Sequence, residues 1–346
     1  MVCSVYKGAY LLSRHELATC GDPTTGGTER NGRCNLWKYV IPHFEQFLGE
    51  LELRTPERLN AEGKADRIAR SLFAKYYPDQ TFNPSSYVKV GSYGKGTATR
   101  PPTDLDMLFI LPWDLYTRVE ALTGNKQSQL LQEVRRTLLV TFPNTDLAAD
   151  GQVVVAPFQT YNVDIAPAFR FTDGTLNGQY LIAHTPDGGK WRLSNPVAEY
   201  AWLQQTDAAT AGKVTHLIKM LKAWKRECNV EIKSICLEIL ANVFVTQWEF
   251  RHQTIFYYDW MIRDFFAFML THGTGSTARP AGIAEQIPFG ERWQSKANSA
   301  YARALKACDY EHKDDGTAAS LEWQKIFGTQ FHVNWIESLL LAGVGA

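Results

Sequence analysis

VKVGSYGKGTATRPPTDLDMLFILP, residues 88–112, places Gly91-Ser92 a short loop ahead of an Asp104-x-Asp106 pair that opens an apolar run. Residues 87–90 (YVKV) read as a short strand, Gly91-Ser92 as a sharp exit from it, and residues 104–111 as a second strand. Side chains two apart on a strand share a face, so Asp104 and Asp106 can reach the same ion while Leu105 turns into the core. Glycines at 91, 94 and 96 let backbone N–H groups approach a phosphate, and Ser92 adds a hydroxyl donor. A phosphate cradle beside a carboxylate pair is what nucleotidyl transfer requires. The glycines do not follow the dinucleotide-binding pattern, and no Gly-Lys-Ser/Thr follows at the P-loop spacing.

A third acid, Asp164, lies in QTYNVDI (159–165), which follows VVVAPF (153–158). Both segments read as extended, with Pro157 and Pro167 better suited to strand ends or edges than to central ladder positions. A carboxylate between Val163 and Ile165 is either the outward residue of an edge strand or the partner of a cation, because burying it unpaired is costly. With Asp104 and Asp106 in the same chain, the metal reading is preferred.

Composition sets the frame. The chain has 346 residues, 45% hydrophobic and 21% charged, with no formal net charge. That is a globular protein of one large or two ordinary domains. Its neutral balance argues against a coat for long nucleic acid, although a local basic groove is compatible with it. The six cysteines (3, 20, 34, 228, 236 and 308) show no paired spacing, so neither a zinc module nor a disulfide framework is expected, and reduced thiols in a cytoplasmic protein are. No apolar run approaches a membrane span, and the first residues make a poor signal peptide.

Along the chain, residues 1–35 read as a weakly structured extension. Residues 36–52 carry helical spacing interrupted by Pro42. Thr55-Pro56-Glu57 starts a helix expected to run to about residue 77, and residues 127–140 form another. Residues 180–184 and 190–193 read as a hairpin around Asp187-Gly188-Gly189. After Asn195-Pro196 helical periodicity takes over, with long patterns at 211–228, 233–251 and 257–271. The expected organisation is a mixed first lobe at 36–195, a helical second lobe at 196–346, and a cleft between them. On the 211–228 helix Leu217, Met220, Leu221 and Trp224 form the apolar side. Lys219, Lys222 and Arg226 form a basic stripe of the kind that is often only a solvated face. Lys95 and Arg100 could line the cleft or its rim; Glu238 is read as structural, His184 as structural or solvent-facing, and a metal reading of His216 with Cys228 and Cys236 is set aside because the spacing is wrong.

GSYGKGTATRPPTDLDMLFILP (91–112), YNVDIAPAF (161–169) and HLIKMLKAWKRECNVEIKSICLEIL (216–240) closely resemble nucleotidyltransferases of the polymerase-β superfamily. Within it they resemble the bacterial cyclic-oligonucleotide synthases (CD-NTases) related to cyclic GMP-AMP synthase and oligoadenylate synthase. GGKWRLSNP (188–196) and WQKIFGTQF (323–331) agree, so the resemblance runs from about residue 51 to about residue 331. It implies an α+β fold, a polymerase-β-like core with a helical lobe. It implies Asp104, Asp106 and Asp164 as catalytic ligands of two Mg²⁺ ions, with Mn²⁺ as an alternative. Gly91, Ser92, Lys222 and Ser234 would hold the triphosphate, with Lys219 and Lys233 as second choices. The free amides at a helix start would add to the grip of Ser234. Several relatives carry a base-stacking aromatic after that serine; here Ile235 stands there. Implied partners are NTPs, ATP among them, a downstream antiviral effector that binds the product, and a regulatory protein. A linear-oligonucleotide synthase, a transferase acting on RNA or protein, or a degenerate binding module remain as alternatives.

Overall fold

The computed structural model describes residues 37–171, 178–282 and 285–333; the extension expected at 1–35 lies outside them. Helix α1 spans Val40–Leu51 and turns Val40, Phe44, Phe47, Leu48 and Leu51 inward. Pro42 does not interrupt it. It falls in the first turn, where an N–H has no intrahelical acceptor to lose. Helix α2, Thr55–Tyr76, is capped one residue earlier than expected: Arg54 is the cap, and its N–H donates to the Glu57 carboxylate at 2.7 Å.

The sheet follows. Strand β1 (Tyr87–Lys89) leads into a one-turn helix α3 (Gly91–Lys95), and β2 covers Asp104–Ile110. Residues 91–95 are therefore a helical turn where an irregular glycine loop was expected. Gly91 enters it at φ +55° and Gly96 closes it at φ 72°, in the left-handed region that glycine adopts without penalty. Helices α4 (Trp113–Glu120) and α5 (Lys126–Thr141) precede β3 (Ala148–Asp150), β4 (Val153–Pro157) and β5 (Asn162–Arg170). The expected hairpin is present as β6 (Tyr180–His184) against β7 (Lys190–Ser194).

Strand order is β1-β2-β5-β4-β3, with β6 and β7 joining through β5. β2 and β5 run parallel. β5 is thus central, and the edge-strand alternative for Asp164 does not hold. One flank of β5 pairs with β2. Its other flank is shared in succession, by β4 up to Ile165 and by β6 from Ala168. Pro167 sits in the gap between those two ladders, which is how an interior strand accommodates a residue without an N–H.

Past Asn195, whose side chain caps α6 (Pro196–Ala209), come α7 (Lys213–Glu227), α8 (Ser234–Gln247) and α9 (Tyr258–His272). A small ribbon, β8 (Thr277–Ala278) with β9 (Ile287–Pro288), departs from the expected all-helical pattern before α10 (Gln294–His312) and α11 (Gly316–Phe327).

Two principal hydrophobic cores result. One packs α2 and α5 on the sheet around Leu72, Met107, Phe109, Val163 and Phe169. The other is aromatic and helical, built on Trp224, Trp260, Trp293 and Trp323. Helix α1, grouped by sequence with the first lobe, buries Phe44 and Phe47 in this second core. No helix of the described residues is long and apolar enough to cross a membrane.

Candidate active site

Asp104, Asp106 and Asp164 come together at the start of β2 and β5. Asp106 and Asp164 are register partners, and the parallel pairing turns both toward the same face. One carboxylate oxygen from each of the three lies within 4.8 Å of the others, and all three residues are half-buried. Three like charges at that spacing repel. Burial, with Asp104 and Asp164 behind it, pushes the Asp106 carboxyl up to about 7. Burial and Asp104 likewise raise Asp164. The Thr103 hydroxyl donates to Asp104 Oδ1 and orients it. Carboxylate oxygens alone, clustered and short of positive charge, are the donor set that a hard divalent cation takes. Among the described residues no other group of acids, histidines and cysteines clusters this way.

The glycines beside this cluster have a more local purpose than the one expected of them. A Cβ on Gly91 would sit 2.8 Å from Asp106 Cγ, and one on Gly94 would lie 3.0 Å from the Lys89 carbonyl carbon. Gly91 gives the Asp106 carboxylate room, and Gly94 lets the α3 turn fold back on β1. The turn is fastened by Val90 N–H donating to Asp106 O at 2.9 Å, and by Thr97 and Ala98 N–H both donating to Ser92 O.

The helical half supplies cations. The expected basic stripe is a solvated face only at its end: Arg226 is exposed and donates to Gln330, whereas Lys219 is buried and pairs with Glu52. Lys222 reaches back to the first half of the chain. Its ammonium donates to Thr97 O at 3.1 Å and Thr97 Oγ1 at 2.9 Å, and pairs with Glu238 Oε1 at 3.1 Å. A lysine has three N–H donors, so Lys222 can grip a phosphate only by exchanging one of these partners. Glu238 also holds Lys95 at 2.8 Å, and Lys95 meets Glu199 at 2.7 Å. Burial opposes ionisation of Glu238, but Lys222 and Lys95 outweigh it and keep its carboxyl below the usual range.

Ser234 opens α8, which no side chain caps, and its Oγ accepts a hydrogen bond from Lys225 Nζ at 3.1 Å. Lys225 is half-buried, and the Asp104 charge partly offsets the lowering that burial imposes on its ammonium. Sequence reading passed over Lys225; its spacing of nine from Ser234 was the available signal. Ile235 packs against the helical core. His216 is satisfied by Tyr258 Oη at 2.7 Å, consistent with a structural role.

Residues 39–207 match the family model described as "Second Messenger Oligonucleotide or Dinucleotide Synthetase domain". A cyclic AMP-AMP-AMP synthase of an Acinetobacter strain is 24% identical over 260 residues, covering 70% of this chain and 71% of that one. Among solved structures, a Vibrio cholerae cyclic AMP-GMP synthase in complex with nonhydrolyzable GTP superposes with a TM-score of 0.66 at 13% identity, covering 86% of this chain and 96% of the other. An Escherichia coli CdnC in a HORMA complex gives a TM-score of 0.55 at 18% identity, covering 85% and 97%.

Proposed function

The chain belongs to the bacterial CD-NTases, and from that premise we propose that this nucleotidyltransferase joins NTPs into a cyclic di- or trinucleotide and releases pyrophosphate. The observation that carries the reading is the convergence of Asp104, Asp106 and Asp164 beside the Gly91-Ser92 turn.

Asp104 and Asp106 are assigned to the donor-side metal, and all three aspartates to a second one; Mg²⁺ fits the oxygen-only donor set, with Mn²⁺ as substitute. Bound there, divalent ions supply Lewis acidity to the phosphoryl oxygens and favour the deprotonated form of the acceptor hydroxyl. The remaining chemistry falls to the chain. Asp164 accepts the proton of the ribose hydroxyl. That oxygen forms a bond to the donor α-phosphorus as the bond from α-phosphorus to the bridging oxygen breaks, and the electron pair leaves with pyrophosphate. Ser92, Lys222 and Ser234, joined by Lys225, orient the triphosphate and offset its charge. A second round between the ends of the linear intermediate closes the ring. The product is assigned to a signalling role upstream of an antiviral effector.

Incubation with all four NTPs and Mg²⁺, followed by phosphatase treatment and mass spectrometry, tests the proposal. A phosphatase-resistant cyclic mass supports it. Linear products alone would favour a linear synthase. A protein activator belongs in one arm of the assay, because the E. coli relative was solved with a HORMA protein. Absence of product in every arm would contradict the proposal.

A further inference from the structure

Four charged side chains from four helices meet beside the aspartates: Lys95 of α3, Glu199 of α6, Lys222 of α7 and Glu238 of α8. Their side chains are 10%, 19%, 12% and 9% exposed. Glu238 is the hinge of the cluster, with one oxygen 2.8 Å from Lys95 Nζ and the other 3.1 Å from Lys222 Nζ. Both lysines act electrostatically on Asp106, yet neither forms an ion pair with any of the three aspartates. A lysine ammonium rides on a flexible four-carbon stem, and a nearby pair of carboxylates is a natural destination for it. Two lysines that settled there would occupy the charge that a divalent cation needs.

We propose that Glu238 is a positioning residue for the metal carboxylates: by drawing Lys95 and Lys222 to itself, it keeps both ammonium groups off Asp104 and Asp106. Glu199 holds Lys95 from the other side, and Thr97 holds Lys222, so the arrangement is braced at both ends. The cluster carries two positive and two negative charges, so the aspartates beside it feel the two lysines only in part and keep most of their deficit of positive charge. With Glu238 neutralised, the same two lysines face the aspartates with only Glu199 to balance them. This inference rests on the reading of Asp104, Asp106 and Asp164 as a metal site.

The test is Mn²⁺ binding to the nucleotide-free full chain, followed by electron paramagnetic resonance of free Mn²⁺, with melting temperature recorded for every variant. Glu238→Gln weakens Mn²⁺ binding about tenfold, because a positive charge freed beside the aspartates acts through a low dielectric. Lys95→Met changes affinity in the opposite direction, tightening it about threefold or more. The double variant Glu238→Gln with Lys222→Met returns it to within about twofold of wild type. A merely structural Glu238 would lower the melting temperature and leave the Mn²⁺ affinity of the folded Glu238→Gln protein within about twofold of wild type; that result overturns the inference. If Glu238→Gln does not fold, Glu238→Gln with Lys95→Met is compared with Lys95→Met alone: affinity at least about threefold weaker in the double variant supports the role of Glu238, and equal affinities overturn it. Wild type binding Mn²⁺ no better than Asp106→Asn would overturn the metal-site reading itself, a failure distinguishable from that of the Glu238 role.

Discussion

Asp106 and Asp164 are direct partners in the parallel register of β2 and β5, so two carboxylates project side by side from adjacent strands. Asp104, two residues before Asp106 on the same face, completes the cluster. This is a poor arrangement for the stability of a metal-free protein and a good one for a cation.

The first prediction follows from that conflict. Asp106→Asn abolishes product formation and raises the melting temperature of the metal-free protein by about 2–4 °C, since it removes a buried charge from between two others. Differential scanning calorimetry with EDTA reads the second effect. An unchanged or lowered melting temperature would contradict the electrostatic account.

The pH dependence has a definite sign. Asp106 is raised from 3.8 to about 7, so between those values the native state holds a proton that the unfolded state has released. Stability of the metal-free protein therefore falls as pH rises from about 4 to about 7 and levels off above, with Asp106 contributing on the order of 4 kcal/mol. Urea denaturation across that range shows the slope, and Asp106→Asn reduces it to the part that the raised Asp164 carboxyl leaves.

Gly91→Ala combines two penalties, a side chain at φ +55° and a Cβ inside the contact distance of the Asp106 carboxylate. The expected outcome is a loss of activity of about 100-fold or more, with the fold retained as judged by circular dichroism. Activity within tenfold of wild type would mean that Asp106 can be displaced without cost.

Lys222→Ala and Lys225→Met should part company. Removing Lys222 leaves Glu238 and Thr97 short of a partner and destabilises the protein by about 3 kcal/mol in addition to raising KM for the donor NTP. Lys225 has Ser234 as its hydrogen-bond partner. Its replacement raises the donor KM about tenfold with little change in melting temperature. Equal effects on both readouts would show that the two lysines share one role.

How much of this was legible in the sequence depended on how far apart the partners lie. Strand β2 and the pairing of Asp104 with Asp106 were readable because alternation and glycine placement are local signals. Asp164 was readable only as an anomaly, a charge in an apolar strand. Its central place depends on β2 and β4, which flank it with Asp106 on one side and Val155 on the other. The tie from Lys222 to Thr97 spans 125 positions and that from Lys95 to Glu238 spans 143, so nothing in local periodicity announced either. Lys222 was found through family resemblance alone, and Lys225 was missed because helical spacing put its neighbours Lys222 and Arg226 in one stripe.

The central claim is that the three aspartates hold divalent metal against a nucleoside triphosphate. A crystal structure with Mn²⁺ and a nonhydrolysable NTP, read by anomalous scattering, tests it most directly. The account predicts manganese peaks ligated by Asp104, Asp106 and Asp164, with the triphosphate reaching toward Ser92 and Ser234. A well-ordered nucleotide with no manganese at these three carboxylates would contradict it.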